Sequence, residues 1–207
     1  MRRSVVVFAL LAFVLALIGS SSAAARTNAP RLAPNHKISQ STSSNWAGYS
    51  AFNGRYTTVS ASWKQPTASC TSQTTYSSFW VGLDGYNSST VEQTGTSADC
   101  SGGSPRYYAW YEMYPNPAYK TSLPVLPGDK MRASVSVDRV GRFNLSITNS
   151  TRGWTASATQ RSTTALRVSA EVIAEAPSNS SGIVPLTNFR HRQLHEREGQ
   201  WCRARFV

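Results

Sequence analysis

At 207 residues the chain is long enough for one domain with a sizeable core and short for two. Its formal charge of +11 points to nucleic acid only until it is divided: Arg2 and Arg3 give +2, and five arginines against two glutamates give the last 18 residues +3. The remaining +6 is scattered singly over 26–189, where a nucleic-acid surface would gather its cations on one face, so nucleic acid is set aside as a partner.

Residues 1–25 have the layout of a secretory signal peptide, with Arg2-Arg3, an apolar run from Val5 to Ile18, and small residues from Ser20 to Ala25. The expectation is a secreted, extracellular protein with no stable membrane association once the signal is cleaved. Residues 26–43, with Pro30 and Pro34, read as a mobile lead or short pro-segment. From Asn45 onward the hydrophobic pattern has period two. Val59, Ala61 and Trp63 alternate with polar residues, as do Met131–Val137, Phe143–Ile147 and Leu166–Ala174, while Tyr76–Leu83 is apolar on both parities. Short strands between Gly, Pro, Asn and Ser turns predict an all-β sandwich.

The stretch FWVGLDGYNSSTVEQTG, 79–95, holds an Asp84-Gly85 turn signal and then an uncharged polar residue, Gln93, with the strand parity of Val91. Cys70 and Cys100 bracket it and are the natural disulfide pair in an oxidising compartment, leaving Cys202 over. No CxxC pair is present, and a metal site is not expected. At the other end, residues 190–207 lose the alternation and the Ser/Thr background, and read as an atypical basic tail or the product of a shifted reading frame.

The only histidines are His36, His191 and His195, outside the β body, which argues against a Ser-His-Asp or Cys-His site. Carboxylates remain. Glu112 shares parity with Tyr108, Trp110 and Tyr114, and Glu171 and Glu175 share a face opposite to Val168, Ala170 and Val172. A sheet face with aromatic residues and carboxylates suits a groove for an extended polymer, peptide or sugar. Ordinary exposed strand positions would give the same pattern.

NWAGY at 45–49, FWVGLDG at 79–85, VEQTG at 91–95, AWYEMYP at 109–115, LPGD at 126–129 and SAEVIAEAP at 169–177 stand in one order. Together they resemble the glutamic peptidases, the eqolisins, over Asn45–Phe189, about 70% of the chain. The resemblance implies a concanavalin-like sandwich of two antiparallel sheets over 44–189, with no cofactor, polypeptide substrates and a monomeric state. It places the catalytic dyad on Gln93 and Glu171, with Trp46, Asp84, Glu112 and Glu175 lining or supporting the cleft. In that reading Glu171 takes a proton from water and returns it to the leaving amine, with a carboxylate-like pKa of about 4.3 suiting acid conditions. Gln93 orients the water and stabilises the oxyanion. The chain departs from the family in Val172, where an aromatic residue is usual, and in Ser97, where an aspartate is expected and Asp99 is the nearest acid. The family also continues past Asn188-Phe189 with further strands, so a sandwich incomplete at its C-terminus, with an unpaired edge and impaired activity, is expected here. A non-catalytic lectin-like sandwich and a glycosidase with two facing carboxylates are the alternative readings.

Overall fold

The computed structural model describes residues 41–189 and the backbone of 203–206. The expected signal peptide, nearly all of the expected lead and most of the tail, including His191, His195 and Cys202, lie outside the described residues. The described residues from Thr42 onward form one compact unit.

Two antiparallel sheets make the body. The first runs β1 (Trp46–Phe52), β11 (Ser169–Glu175), β4 (Ser78–Leu83), β5 (Val91–Ser101), β6 (Ser104–Tyr114) and β7 (Tyr119–Lys120) across its width. The second runs β10 (Trp154–Arg161), β9 (Arg142–Asn149), β8 (Lys130–Val137), β2 (Thr58–Lys64) and β15 (Arg203–Phe206), and two short antiparallel pairs join β3 (Ala68–Ser69) to β14 (Asn188–Phe189) and β12 (Ser178–Asn179) to β13 (Gly182–Ile183). The expected all-β sandwich is what the chain forms.

Period-two alternation builds the core. Val59, Ala61 and Trp63 on β2, Met131, Ala133 and Val135 on β8, and Phe143, Leu145 and Ile147 on β9 all point inward. They meet Phe79, Val81 and Leu83 from β4. Burying each large apolar side chain contributes roughly 1.5–3 kcal/mol. Trp63 Nε1 also donates to Thr96 Oγ1 at 3.2 Å, a polar tie between the sheets. β4 is buried on both faces, which explains its unbroken apolar run.

Cys70 and Cys100 form the expected disulfide, with Cα atoms 5.4 Å apart and a sequence separation of 30. Closing a loop of that length contributes about 3–4 kcal/mol in the chain-entropy account. It closes around β4 and β5, the strands that carry the stretch at 79–95.

Three elements differ from expectation. The strand expected from Leu166 begins only at Ser169, because Arg167 has a left-handed φ of 62°. β10 was not legible: its inward positions include only Trp154, Ala156 and Ala158 as apolar residues, on a background of Ser, Thr and Gln. The backbone of Arg203–Phe206, within the tail, pairs antiparallel with Ser62–Val59 of β2. The sheet edge expected to stand open there carries a strand.

Candidate active site

The register of the first sheet lays three rows across its outer face, because cross-strand partners point to the same side. One row is Ser50, Glu171, Gly82, Gln93 and Glu112, on β1, β11, β4, β5 and β6. The next, one pleat along, is Gly48, Ile173, Trp80, Gly95 and Trp110. The third is Trp46, Glu175, Ser78, Ser97 and Tyr108. Five of the six residues expected at the site (Gln93, Glu171, Glu112, Trp46 and Glu175) thus fall in two rows of one face.

The middle row is the floor. Trp80, Trp110 and Ile173 form a second apolar cluster, with Trp46 set edge-on to Trp80 at 5.1 Å between ring centroids. Glycine at 95 is what admits it: a Cβ there would lie 2.3 Å from the Phe79 carbonyl oxygen and 2.6 Å from Trp80 Cβ. A cleft of about 500 Å³ opens over this floor, lined among others by Trp46, Trp80, Gln93, Trp110, Glu112 and Glu175.

In the first row, Gln93 Nε2 donates to Glu112 Oε2. An ionised carboxylate only accepts, so Glu112 fixes which way the amide faces. Gln93 Oε1 is left buried with no hydrogen-bond partner among the described residues. Two strands away, Ser50 Oγ donates to Glu171 Oε1 at 3.2 Å, and Glu171 Oε2 is likewise buried without a partner. Between them stands Gly82, with no side chain. Two strand spacings set the backbones about 9–10 Å apart, within the combined reach of Gln and Glu side chains and one small molecule.

Glu171 is fully buried and does not line the cleft, whereas Gln93 does. Burial is the main reason the Glu171 carboxyl is pushed up from 4.5 to about 8; hydrogen bonds from Ser169 and Ser50 oppose the shift and the charge of Asp84 adds to it. The ordinary carboxylate pKa expected from sequence is therefore not what this position has. Burial likewise raises Glu112, against the hydrogen bond from Gln93. It raises Glu175 too, against the hydrogen bond from Trp80 Nε1, which lies 2.8 Å from Glu175 Oε2.

Asp84 has a different part from the other five. It ends β4 with a left-handed φ of 66° and is fully buried. Its Oδ2 accepts from Arg167 N at 2.7 Å and its Oδ1 from Val168 N at 2.9 Å. Asp84 supports the turn that feeds β11 and does not touch the cleft.

Sequence reasoning missed Ser50, Trp80 and Gly82. The parity of Trp80 and Gly82 with Ser78, opposite to Phe79, Val81 and Leu83, was the available signal for two of them. A larger hollow of about 720 Å³ is lined by Tyr111, Tyr119, Lys120, Leu145, Ile147 and Gln160 among others, with no carboxylate or histidine among the described residues.

The fold has known counterparts. Scytalido-glutamic peptidase, solved with a peptide-based transition state analogue, is 31% identical, with a TM-score of 0.61 over 70% of this chain and 74% of that one. SCP-B, an eqolisin solved with the tripeptide Ala-Ile-His, is 28% identical with a TM-score of 0.58, over 70% of this chain and 73% of its own. Aspergillopepsin-2 of Aspergillus niger is 29% identical over 140 residues, 58% of this chain and 50% of its own, so the chain spans about half the length of that relative. A family model, that of the Peptidase A4 family, matches residues 44–198, which takes in every strand that contributes to the three rows, and the chain belongs to that family.

Proposed function

We propose that the protein is a secreted acid endopeptidase that hydrolyses peptide bonds with Gln93 and Glu171, polypeptides lying in the cleft over Trp80 and Trp110. The observation that carries this reading is the pair of unpartnered oxygens, Gln93 Oε1 and Glu171 Oε2, buried in one cross-strand row with Gly82 between them. Buried polar atoms are almost always paired, and those that are not mark places where a water or a substrate atom belongs.

The chemistry follows from the resting protonation. Below about pH 8 Glu171 holds its proton. As the carboxyl hands that proton to the scissile carbonyl oxygen, it becomes the carboxylate that accepts a proton from the attacking water. The water oxygen bonds to the carbonyl carbon, and the charge state of the site is unchanged. Glu171 then protonates the amide nitrogen as the C–N bond breaks and takes back a proton from one of the two hydroxyls, which leaves a carboxylic acid and a free amine and restores Glu171. Gln93 cannot ionise. Its Oε1 accepts from the water, and its free Nε2 hydrogen donates to the oxygen on which charge develops, a preorganised contact typically contributing about 3–4 kcal/mol. Glu112 keeps the amide in that orientation.

Export rests on residues 1–25 and on the disulfide, which forms in oxidising compartments. Digestion of a denatured protein at acid pH, with pepstatin present to silence aspartic peptidases, tests the mechanism. Wild type cleaves, Glu171→Gln loses cleavage, and Gln93→Ala loses at least about a hundredfold. Equal cleavage by all three removes the dyad. Release of sugar from a polysaccharide in place of peptide cleavage moves the assignment to a glycosidase.

A further inference from the structure

Behind the outer face, two carboxyl groups share one buried site. Asp84 at the end of β4 and Glu92 on β5 are 0% and 1% exposed, and each shifts the titration of the other. The described ion pairs are Arg142–Asp138 and Arg152–Asp129, so neither carboxyl has a cation among the described residues. Two negative charges cannot be held together in such a place without a proton. Its location follows from the hydrogen bonds. Both Asp84 oxygens accept backbone N–H groups, from Arg167 and Val168, which favours the carboxylate there. Glu92 Oε2 has no partner among the described residues, which leaves Glu92 as the acid.

The pair also sits where it touches both halves of the dyad. Asp84 holds the amides of Arg167 and Val168, which lead into β11 and Glu171. Glu92 is the residue immediately before Gln93. We propose that protonated Glu92 is a positioning residue: by donating its carboxyl hydrogen to Asp84 it clamps the β11 entry to β5 and fixes Glu171 and Gln93 at their separation across Gly82. The proposal rests on the dyad reading above and adds a residue that never meets the substrate.

The titratable groups facing the pair are few. Glu171 on β11 feels the Asp84 charge, and Tyr56, ahead of β2, feels that of Glu171. Across the β5–β6 ladder the residue opposite Glu92 is Met113, and across β4–β5 it is Leu83. Burial first and the Asp84 charge second push Glu92 from 4.5 to about 8. A group raised in the folded state binds its proton more tightly there than in the unfolded chain, so its contribution is full below about 4.5 and is lost as pH rises toward 8.

Two variants at one position separate positioning from mere structure. Glu92→Gln keeps shape and an N–H donor toward Asp84 but cannot titrate. Glu92→Leu fills the site without a donor and leaves the buried Asp84 carboxylate one hydrogen bond short, so its Tm falls. The expected result is that Glu92→Gln keeps kcat within about twofold, while Glu92→Leu loses about tenfold or more in kcat with little change in KM. The fall of Tm between about pH 4.5 and 8 is shallower in Glu92→Gln than in wild type. A wild-type-minus-variant infrared spectrum at pH 6 shows one protonated carboxyl lost. Wild-type kcat in Glu92→Leu, an equal kcat loss in both variants, or an unchanged Tm–pH slope in Glu92→Gln overturns the proposal. The infrared and Tm readouts do not require activity. Cleavage that survives Glu171→Gln therefore sinks the dyad alone, and a missing carboxyl signal sinks the Glu92 assignment alone.

Discussion

Gln93 and Glu171 stand in one cross-strand row on the outer face of the first sheet, two strands apart, with Gly82 of β4 as the only residue between them. That relationship makes an uncharged, featureless residue central to the site. In the proposed mechanism the water lies over position 82, and a side chain there would crowd Gln93.

Gly82→Ala tests this directly. A Cβ at 82 would lie 3.0 Å from Trp80 Cζ3 and 3.2 Å from both Gln93 Cβ and Val91 Cγ1, so these neighbours must give by a few tenths of an ångström. Overpacking of this kind costs about 1–3 kcal/mol of stability. Displacement of Gln93 lowers kcat about tenfold or more, since reacting groups tolerate little misplacement. Steady-state kinetics beside a thermal melt measures both. A variant that melts lower but keeps its kcat shows that the gap over Gly82 is not where the reaction occurs.

Glu112 holds the Gln93 amide, and its replacements should rank by what they can accept. Glu112→Gln still offers a carbonyl oxygen to Gln93 Nε2, whereas Glu112→Leu offers nothing. The leucine variant leaves a buried N–H unpaired, costing about 1–3 kcal/mol, and frees the amide to rotate. We expect kcat to fall modestly in Glu112→Gln and about tenfold or more in Glu112→Leu, the loss appearing in kcat more than in KM. Equal kcat in the two variants would assign the orientation of Gln93 to another group.

Much of this face could be read from the chain before its fold. The parity of Glu112 with Tyr108 and Trp110, and of Glu171 with Glu175, already put the carboxylates on the aromatic side, because a strand alternates strictly. What parity cannot give is which strands are neighbours. β11 lies between β1 and β4, so Ser50 reaches Glu171 across 121 residues of sequence and Trp80 reaches Glu175 across 95. Only the register sets Gly82 between Gln93 and Glu171. Glu92 has the strand parity opposite to Gln93. It is buried because β5 has core on one face and the tryptophan floor on the other. β10 was invisible because Ala156 and Ala158 give too weak an apolar signal against Ser, Thr and Gln.

The raised pKa of Glu171 makes a claim about stability and pH. Its carboxyl goes from 4.5 to about 8 on folding, chiefly by burial, so the folded protein binds this proton more tightly than the unfolded chain. The contribution is therefore full below about 4.5 and is lost as pH rises to about 8. Glu171→Gln removes the titration. The Tm of wild type relative to this variant should fall steadily over that range and level off beyond it. Parallel Tm–pH curves would show that Glu171 is ionised in the folded protein at neutral pH, and the coupled proton transfer would fail with it.

Asp129, which does not line the cleft, works in the opposite sense. It is 3% exposed, on the turn before β8. Burial raises its pKa. Hydrogen bonds from Asn149 Nδ2 at 2.7 Å, Leu126 N at 2.9 Å and Arg152 Nε at 2.7 Å outweigh that and leave it below the ordinary value of 3.8. A depressed carboxylate contributes stability above its unfolded pKa and loses it as pH falls through the folded one. This group thus stays ionised further into the acid range, where the proposed acid peptidase must remain folded. Asp129→Asn places a donor where three donors converge and leaves the Arg152 charge unpaired, at a cost of about 3–5 kcal/mol. Denaturant unfolding at pH 6 should show that loss, and at pH 2 the gap between variant and wild type should narrow as wild-type Asp129 takes up its proton. A gap that widens on acidification would reverse the sign of the argument and remove Asp129 as the anchor of this turn.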